Sequence, residues 1–282
     1  MALDSASCAL VVLVLIQFYL GNILNNPHGS LLRPVISWLK KTESVSANVI
    51  VNLEDQVKPL GLEPTTELWA LFNVGAGIHH TLGAVLTLVA YFCGSVWLFR
   101  IGLSFEIGED ILHYCQMTYG LIFPPGPVPF RLWPKSVWAY LAVHHSLGLG
   151  AGTFAYFYIA DWQEVQLLVA LLLSALIPAF LSSPFQLFWN LKEPSFGGKC
   201  ALVTDVLGLV LILYARFFKY MPLCIAVADR AFSEFGIVTY RVLVTFFCLF
   251  EVFAVMSLYL TVGPLVTAFK VQMREAPERK ED

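Results

Sequence analysis

Seven stretches of about 20 mostly apolar residues, spread from one end of the chain to the other, limit what this sequence can fold into. They run roughly over 6–24, 67–92, 96–122, 137–160, 164–190, 201–218 and 240–268. Soluble domains are about 45–50% apolar and about 25% charged. Here 58% of the 282 residues are hydrophobic and 13% are charged. That leaves too little polar surface to cover a soluble fold, so the surplus apolar side chains must face lipid. The expected fold is all-α, a polytopic membrane helix bundle of about seven transmembrane helices.

The joins between segments carry the topology. Short connections near Gly94 and at Asp161–Glu164 predict antiparallel hairpins. The run PPGPVPFRLWP at 124–134 separates the third and fourth segments, because proline lacks an N–H and resists helix continuation. The fifth segment carries Pro178 and then Pro184, so a kink or break is expected there, and freed carbonyls can line a cavity. The first segment has no basic residue ahead of it, carries Asp4 and lacks a small-x-small cleavage site, so it reads as a retained helix rather than a signal peptide. Three regions follow: an N-terminal helix and polar linker over 1–65, a six-helix membrane domain over 66–270 and a charged tail over 271–282. Within the linker, LLRPVISWLKK at 31–41 reads as an amphipathic interfacial helix with Trp38, Lys40 and Lys41 at headgroup depth.

Lysine and arginine are unevenly shared between the two sides. Arg33, Lys40, Lys41, Lys58, Arg131, Lys135, Lys192, Lys199, Lys270, Arg274, Arg279 and Lys280 fall on one side. Lys219, Arg230 and Arg241 fall on the other, with Arg216 snorkelling toward it. Positive residues favour the cytosol, which puts the C-terminus there. The tail RKED loosely resembles an endoplasmic reticulum retrieval signal. The net charge of −3 and the lack of a long basic stretch argue against nucleic acid as a partner. The six cysteines show no CxxC or zinc-like spacing and read as small packing residues. Homodimerisation is left open.

Charged side chains inside a span cost about 2.5–3.5 kcal/mol each and usually mark function. The third segment carries Glu106, Glu109, Asp110 and His113 in FEIGEDILHY. Positions i, i+4 and i+7 share a helix face, so Glu106, Asp110 and His113 form one polar stripe with Glu109 beside it. The fourth segment carries His144 and His145, about 100° apart on a helix, so one can reach a central cavity while the other supports it. Small residues follow, with Gly148-x-x-x-Gly152 suited to close helix packing. The second segment adds Asn73, His79 and His80, the sixth Asp205 and the seventh Glu251. A histidine cluster invites an iron centre, a haem or proton transfer. Six histidines with no HxxH do not make the membrane desaturase pattern, and nothing beyond the paired histidines supports a haem. No metal or cofactor is expected. An imidazole oriented by a carboxylate suits proton transfer during acyl transfer to an amine or hydroxyl.

Four short motifs in order, GIHHTLGA at 77–84, SFEIGEDILHY at 104–114, the His144–His145 pair and FLSSPFQLFWNL at 180–191, resemble those of the TLC-domain family of multi-pass membrane proteins, which includes the ceramide synthases. The resemblance covers about residues 66–270. Phe180 stands where the family motif usually has Glu, and the acidic HDxxD-like motif of ceramide synthases is absent. The resemblance implies a TLC-like bundle around a lipid-accessible tunnel, in the endoplasmic reticulum, with sphingolipid or phospholipid as partner. It implies His144, His145, Asp110 and Glu106 as the catalytic or central polar set. His79, His80, Glu109, His113, Ser182 and Ser183 would then contact substrate. Three activities remain open: lipid handling that influences membrane composition, ceramide-synthase-type N-acyl transfer with acyl-CoA as co-substrate, and proton-coupled transport through the polar stripe.

Overall fold

The computed structural model describes residues 5–24, 28–58, 61–122, 135–175 and 177–273, and every regular element among them is helical. The Pro-rich run at 124–134 and the tail RKED lie outside the described residues. The helices are α1 (Ser5–Leu24), α2 (Leu32–Lys41), α3 (Glu43–Val57), α4 (Thr66–Ala70), α5 (Gly77–Cys93), α6 (Val96–Ile122), α7 (Lys135–Tyr158), α8 (Gln163–Ser174), α9 (Ile177–Phe188), α10 (Phe196–Leu213), α11 (Tyr220–Phe235) and α12 (Ile237–Gln272). Two π-helical segments interrupt the regular ladder, Leu71–Ala76 between α4 and α5 and Tyr214–Phe218 between α10 and α11.

Four helical stretches are long and apolar enough to cross a membrane: Thr66–Cys93, Gln163–Phe188, Phe196–Phe235 and Ile237–Gln272. Of the other expected spans, α1 contributes a shorter apolar stretch, Ser7–Leu20. Helix α6 is long, but Arg100, Glu106, Glu109 and Asp110 lower its hydropathy, because it spends its length on the polar interior. The outer faces of α10 and α12 are apolar and exposed, as Val203, Leu207 and Val210 show on one and Val242, Val252 and Val255 on the other.

Sequence explains several boundaries. The Thr65 hydroxyl accepts the Leu68 N–H and starts α4, and the Ser195 hydroxyl accepts the Gly198 N–H and starts α10. Gly94, at φ 63°, closes α5 in the left-handed region that favours glycine. The fifth segment divides into α8 and α9 ahead of Pro178, as its prolines predict.

Contacts fix two ends of the bundle. At one end the Gln272 side chain at the foot of α12 donates to Leu191 O and Glu193 O and accepts the Ser195 N–H. At the other, Trp162 and Phe235 stack beside the α7–α8 and α11–α12 turns, and Arg230 lies over Trp162. The main core joins Phe99, Tyr156, Ile159, Trp162 and Val227 near that second end.

Two segments differ from the sequence reading. The region 26–65 contains α2 and α3, which build a core of their own with Leu32, Leu39, Val49, Leu53 and Trp69. In α2 Leu32 and Leu39 are fully buried in that core, while Trp38, Lys40 and Lys41 on the other side are exposed. The sixth segment continues beyond 218 into α11, whose buried face of Tyr220, Cys224, Val227, Ala228 and Ala231 packs against its neighbours.

Candidate functional site

The polar groups of α5, α6 and α7 converge. A hydrogen bond joins His145 Nδ1 to the Asp110 carboxylate. Because a carboxylate only accepts, His145 carries its proton on Nδ1 and offers Nε2 to His113 Nδ1 at 3.0 Å. His80 Nδ1 lies 3.1 Å from Glu106 Oε1, and His80 Nε2 lies 3.5 Å from Glu109 Oε2. His113 Nε2 lies 3.8 Å from Glu109 Oε1. Three carboxylates and four imidazoles, with His79 included, thus form one connected group inside the bundle.

Small residues make this closeness possible. A Cβ on Gly148 would stand 2.5 Å from Asp110 Oδ2, and one on Gly83 would stand 3.1 Å from Glu106 Oε1. Glycine at both places lets α7 and α5 approach the acids of α6. Gly108 does the same for α1, whose Gln17 fills the space a side chain there would need.

A cavity of about 190 Å³ opens beside the group. Its polar wall is His80, Glu106, Asp110, His144 and Arg216, and the rest is apolar, including Leu168, Leu172, Phe247 and Phe250. His144 stacks on Tyr140 with ring centroids 6.2 Å apart and faces Phe253 at 5.6 Å. The two adjacent histidines therefore divide the work: His144 borders the cavity, and His145 is tied to Asp110 and His113. The chain matches no family model, no curated protein and no solved structure.

The structure gathers the expected central set, His144, His145, Asp110 and Glu106, into one place. Among the expected substrate contacts only His80 lines the cavity. His79 is fully buried, and its Nε2–H donates to Phe105 O, so it ties α5 to α6. Glu109 and His113 sit within the polar group rather than on the cavity wall. Ser183 donates to Asn73 Oδ1 and Ser182 to Ala179 O, so both serve helix packing of α9.

Sequence reasoning placed Arg216 at the membrane edge and not at the site. Rather than snorkelling outward, it borders the cavity, and its buried Nε has no hydrogen-bond partner. It rides on the π segment Tyr214–Phe218, a local widening common at functional sites. The available signal was a lone arginine in the apolar run LILYARFF. Sequence spacing also missed a potential metal-binding group, His80, Glu106 and Glu109, whose ligand atoms lie within 4.8 Å of one another. No motif reports it, because its members come from two helices.

Proposed function

We propose that this chain is a TLC-like multi-pass membrane protein that handles a lipid in an intramembrane cavity and thereby influences membrane lipid composition. The observation that carries the reading is the cavity itself, in which one polar wall of His80, Glu106, Asp110, His144 and Arg216 meets a long apolar lining. At about 190 Å³ the space admits the polar end and the adjoining hydrocarbon of a lipid rather than a whole lipid molecule. The buried Nε of Arg216 has no hydrogen-bond partner, which favours an occupant with a hydrogen-bond-accepting head. Sphingolipids and phospholipids both have that form. In this reading α1, α5, α6, α7, α8–α9, α10–α11 and α12 make about seven crossings in the endoplasmic reticulum, and the lysine-rich end with the C-terminus faces the cytosol.

The hydrogen bond from His145 to Asp110 favours a second reading, acyl-CoA-dependent acyl transfer. Asp110 holds the imidazole in one tautomer, and His144 at the cavity wall is placed to take a proton from an acceptor amine or hydroxyl. One experiment addresses both readings. The purified protein in liposomes is given phospholipid, a sphingoid base and acyl-CoA. Retained lipid without product supports handling alone. New N-acyl product that vanishes in His144→Ala supports transfer. A protein that neither retains nor converts any of these lipids contradicts both.

A further inference from the structure

We infer that His80, Glu106 and Glu109, whose ligand atoms lie within 4.8 Å of one another, form the core of a binding site for a zinc-class divalent metal ion. The argument starts from one proton. A neutral imidazole has a single N–H. His80 faces a carboxylate with each of its nitrogens, Glu106 at 3.1 Å from Nδ1 and Glu109 at 3.5 Å from Nε2. Whichever nitrogen carries the proton, the other turns a lone pair toward a negative oxygen. That arrangement calls for a cation, either a second proton on the ring or a metal ion beside it.

The size of the missing charge selects the cation. Glu106, Glu109 and Asp110 occupy little more than one turn of α6, and Glu109 is 3% exposed. Asp110 has His145 as its partner and Arg216 borders the same cavity, which leaves Glu106 and Glu109 facing His80; a proton on His80 offsets one of those two charges, whereas a divalent ion offsets both. The spacing agrees. Two ligands at about 2.1 Å from a tetrahedral ion stand about 3.4 Å apart. The His80 Nδ1–Glu106 and His80 Nε2–Glu109 separations, 3.1 and 3.5 Å, lie either side of that edge length, so an ion on one ring nitrogen can share its carboxylate while the carboxylate at the other nitrogen accepts the ring N–H. Imidazole nitrogen and carboxylate oxygen together suit zinc, and also ferrous or manganous ions.

The surroundings resemble the support a metal ligand needs. His113 Nδ1 meets His145 Nε2, and His145 is anchored in turn by Asp110, so a hydrogen-bonded chain orients the His113 ring with Nε2 toward Glu109. Glu106 and His80 also border the cavity, so the ion would lie beside its occupant and could polarise a carbonyl or phosphoryl oxygen there.

The test is metal content of the full chain, purified in detergent without chelator, by elemental mass spectrometry, followed by cobalt substitution and visible absorption. The expected result is about one zinc-class ion per chain and a tetrahedral cobalt spectrum, both unchanged in His28→Ala. His80→Gln and Glu109→Gln are expected to lower metal affinity by at least about tenfold. Should those variants fail to fold, the cobalt spectrum of the parent chain decides alone. A folded parent that carries no ion and gives no cobalt spectrum overturns the site, as do folded variants that bind metal like the parent.

Discussion

Asp110 is the side chain on which the most geometry converges. It borders the cavity, holds His145 through a hydrogen bond and accepts the close approach of Gly148. Asp110→Asn keeps the shape but can present an N–H where His145 also presents one. If the chain transfers acyl groups, this change is expected to lower turnover by about 100-fold or more, read as product per minute with helix content unchanged by circular dichroism. Gly148→Ala tests the same contact from the other helix. Its new Cβ would stand 2.5 Å from Asp110 Oδ2, so the carboxylate that holds His145 must shift. Gly150→Ala meets only the edge of Phe246, at 3.0 Å, and is expected to be milder in the same assay. The convergence of Asp110 with the paired histidines was legible in the sequence, because charged groups on adjacent apolar segments must turn inward. Which histidine faces the cavity was not legible, since two neighbours 100° apart are equivalent until a third helix is placed.

Among the elements, α3 and α9 show how far tertiary contact overrides composition. Helix α3 reads as polar linker, yet Asn52 donates to Gln186 O and Trp189 O and accepts the Leu191 N–H. Trp69 donates to Gln186 Oε1 in the same region. Asn52→Ala would orphan those buried groups and is expected to destabilise the docked cap by about 2–3 kcal/mol, visible as a lower thermal midpoint in detergent. A midpoint equal to the parent's would show that α3 docks through its apolar face alone. The Lys192–Glu54 pair nearby, 2.8 Å apart, is the contrasting case. Its hydrogen bond holds the Glu54 carboxyl below the ordinary 4.5 and the Lys192 ammonium above the ordinary 10.5. The pair's contribution is therefore present above the unfolded carboxylate value and is lost as pH falls through the lowered Glu54 value. On the alkaline side it persists below the unfolded lysine value and is lost above the raised one. Both side chains are more than a third open to solvent, 35% for Lys192 and 42% for Glu54, so solvent screens the pair, and Lys192→Ala is expected to leave the midpoint near the parent's between those limits. The sequence reading missed α11 for a related reason: its polar residues Asp229, Arg230, Ser233 and Glu234 hide a narrow apolar face that only α8 and α12 complete. The break between α8 and α9 was legible, because proline acts locally.

At the scale of the whole molecule, α12 is 36 residues and about 54 Å long, well beyond a hydrocarbon layer of about 30 Å. Its two ends are fixed to opposite ends of the bundle, Gln272 beside the Leu191–Ser195 loop and Tyr240 against Phe232 of the α11 turn. Single-cysteine labelling in sealed vesicles, in a cysteine-free background, is thus expected to place Lys41 and Met273 on one side and Gly236 on the other. Labelling of Lys41→Cys and Gly236→Cys from the same side would contradict the proposed crossings. The most direct measurement concerns the cavity. A photoactivatable lipid, a phospholipid or sphingolipid with a diazirine in its acyl chain, is added to the protein in liposomes and the adduct is located by peptide mass spectrometry. The account predicts labelling on the cavity wall, at Leu168, Leu172, Phe247 or Phe250, and its loss when Ala254→Trp fills the space. Labelling confined to the outer apolar faces of α10 and α12, unchanged by Ala254→Trp, would contradict it.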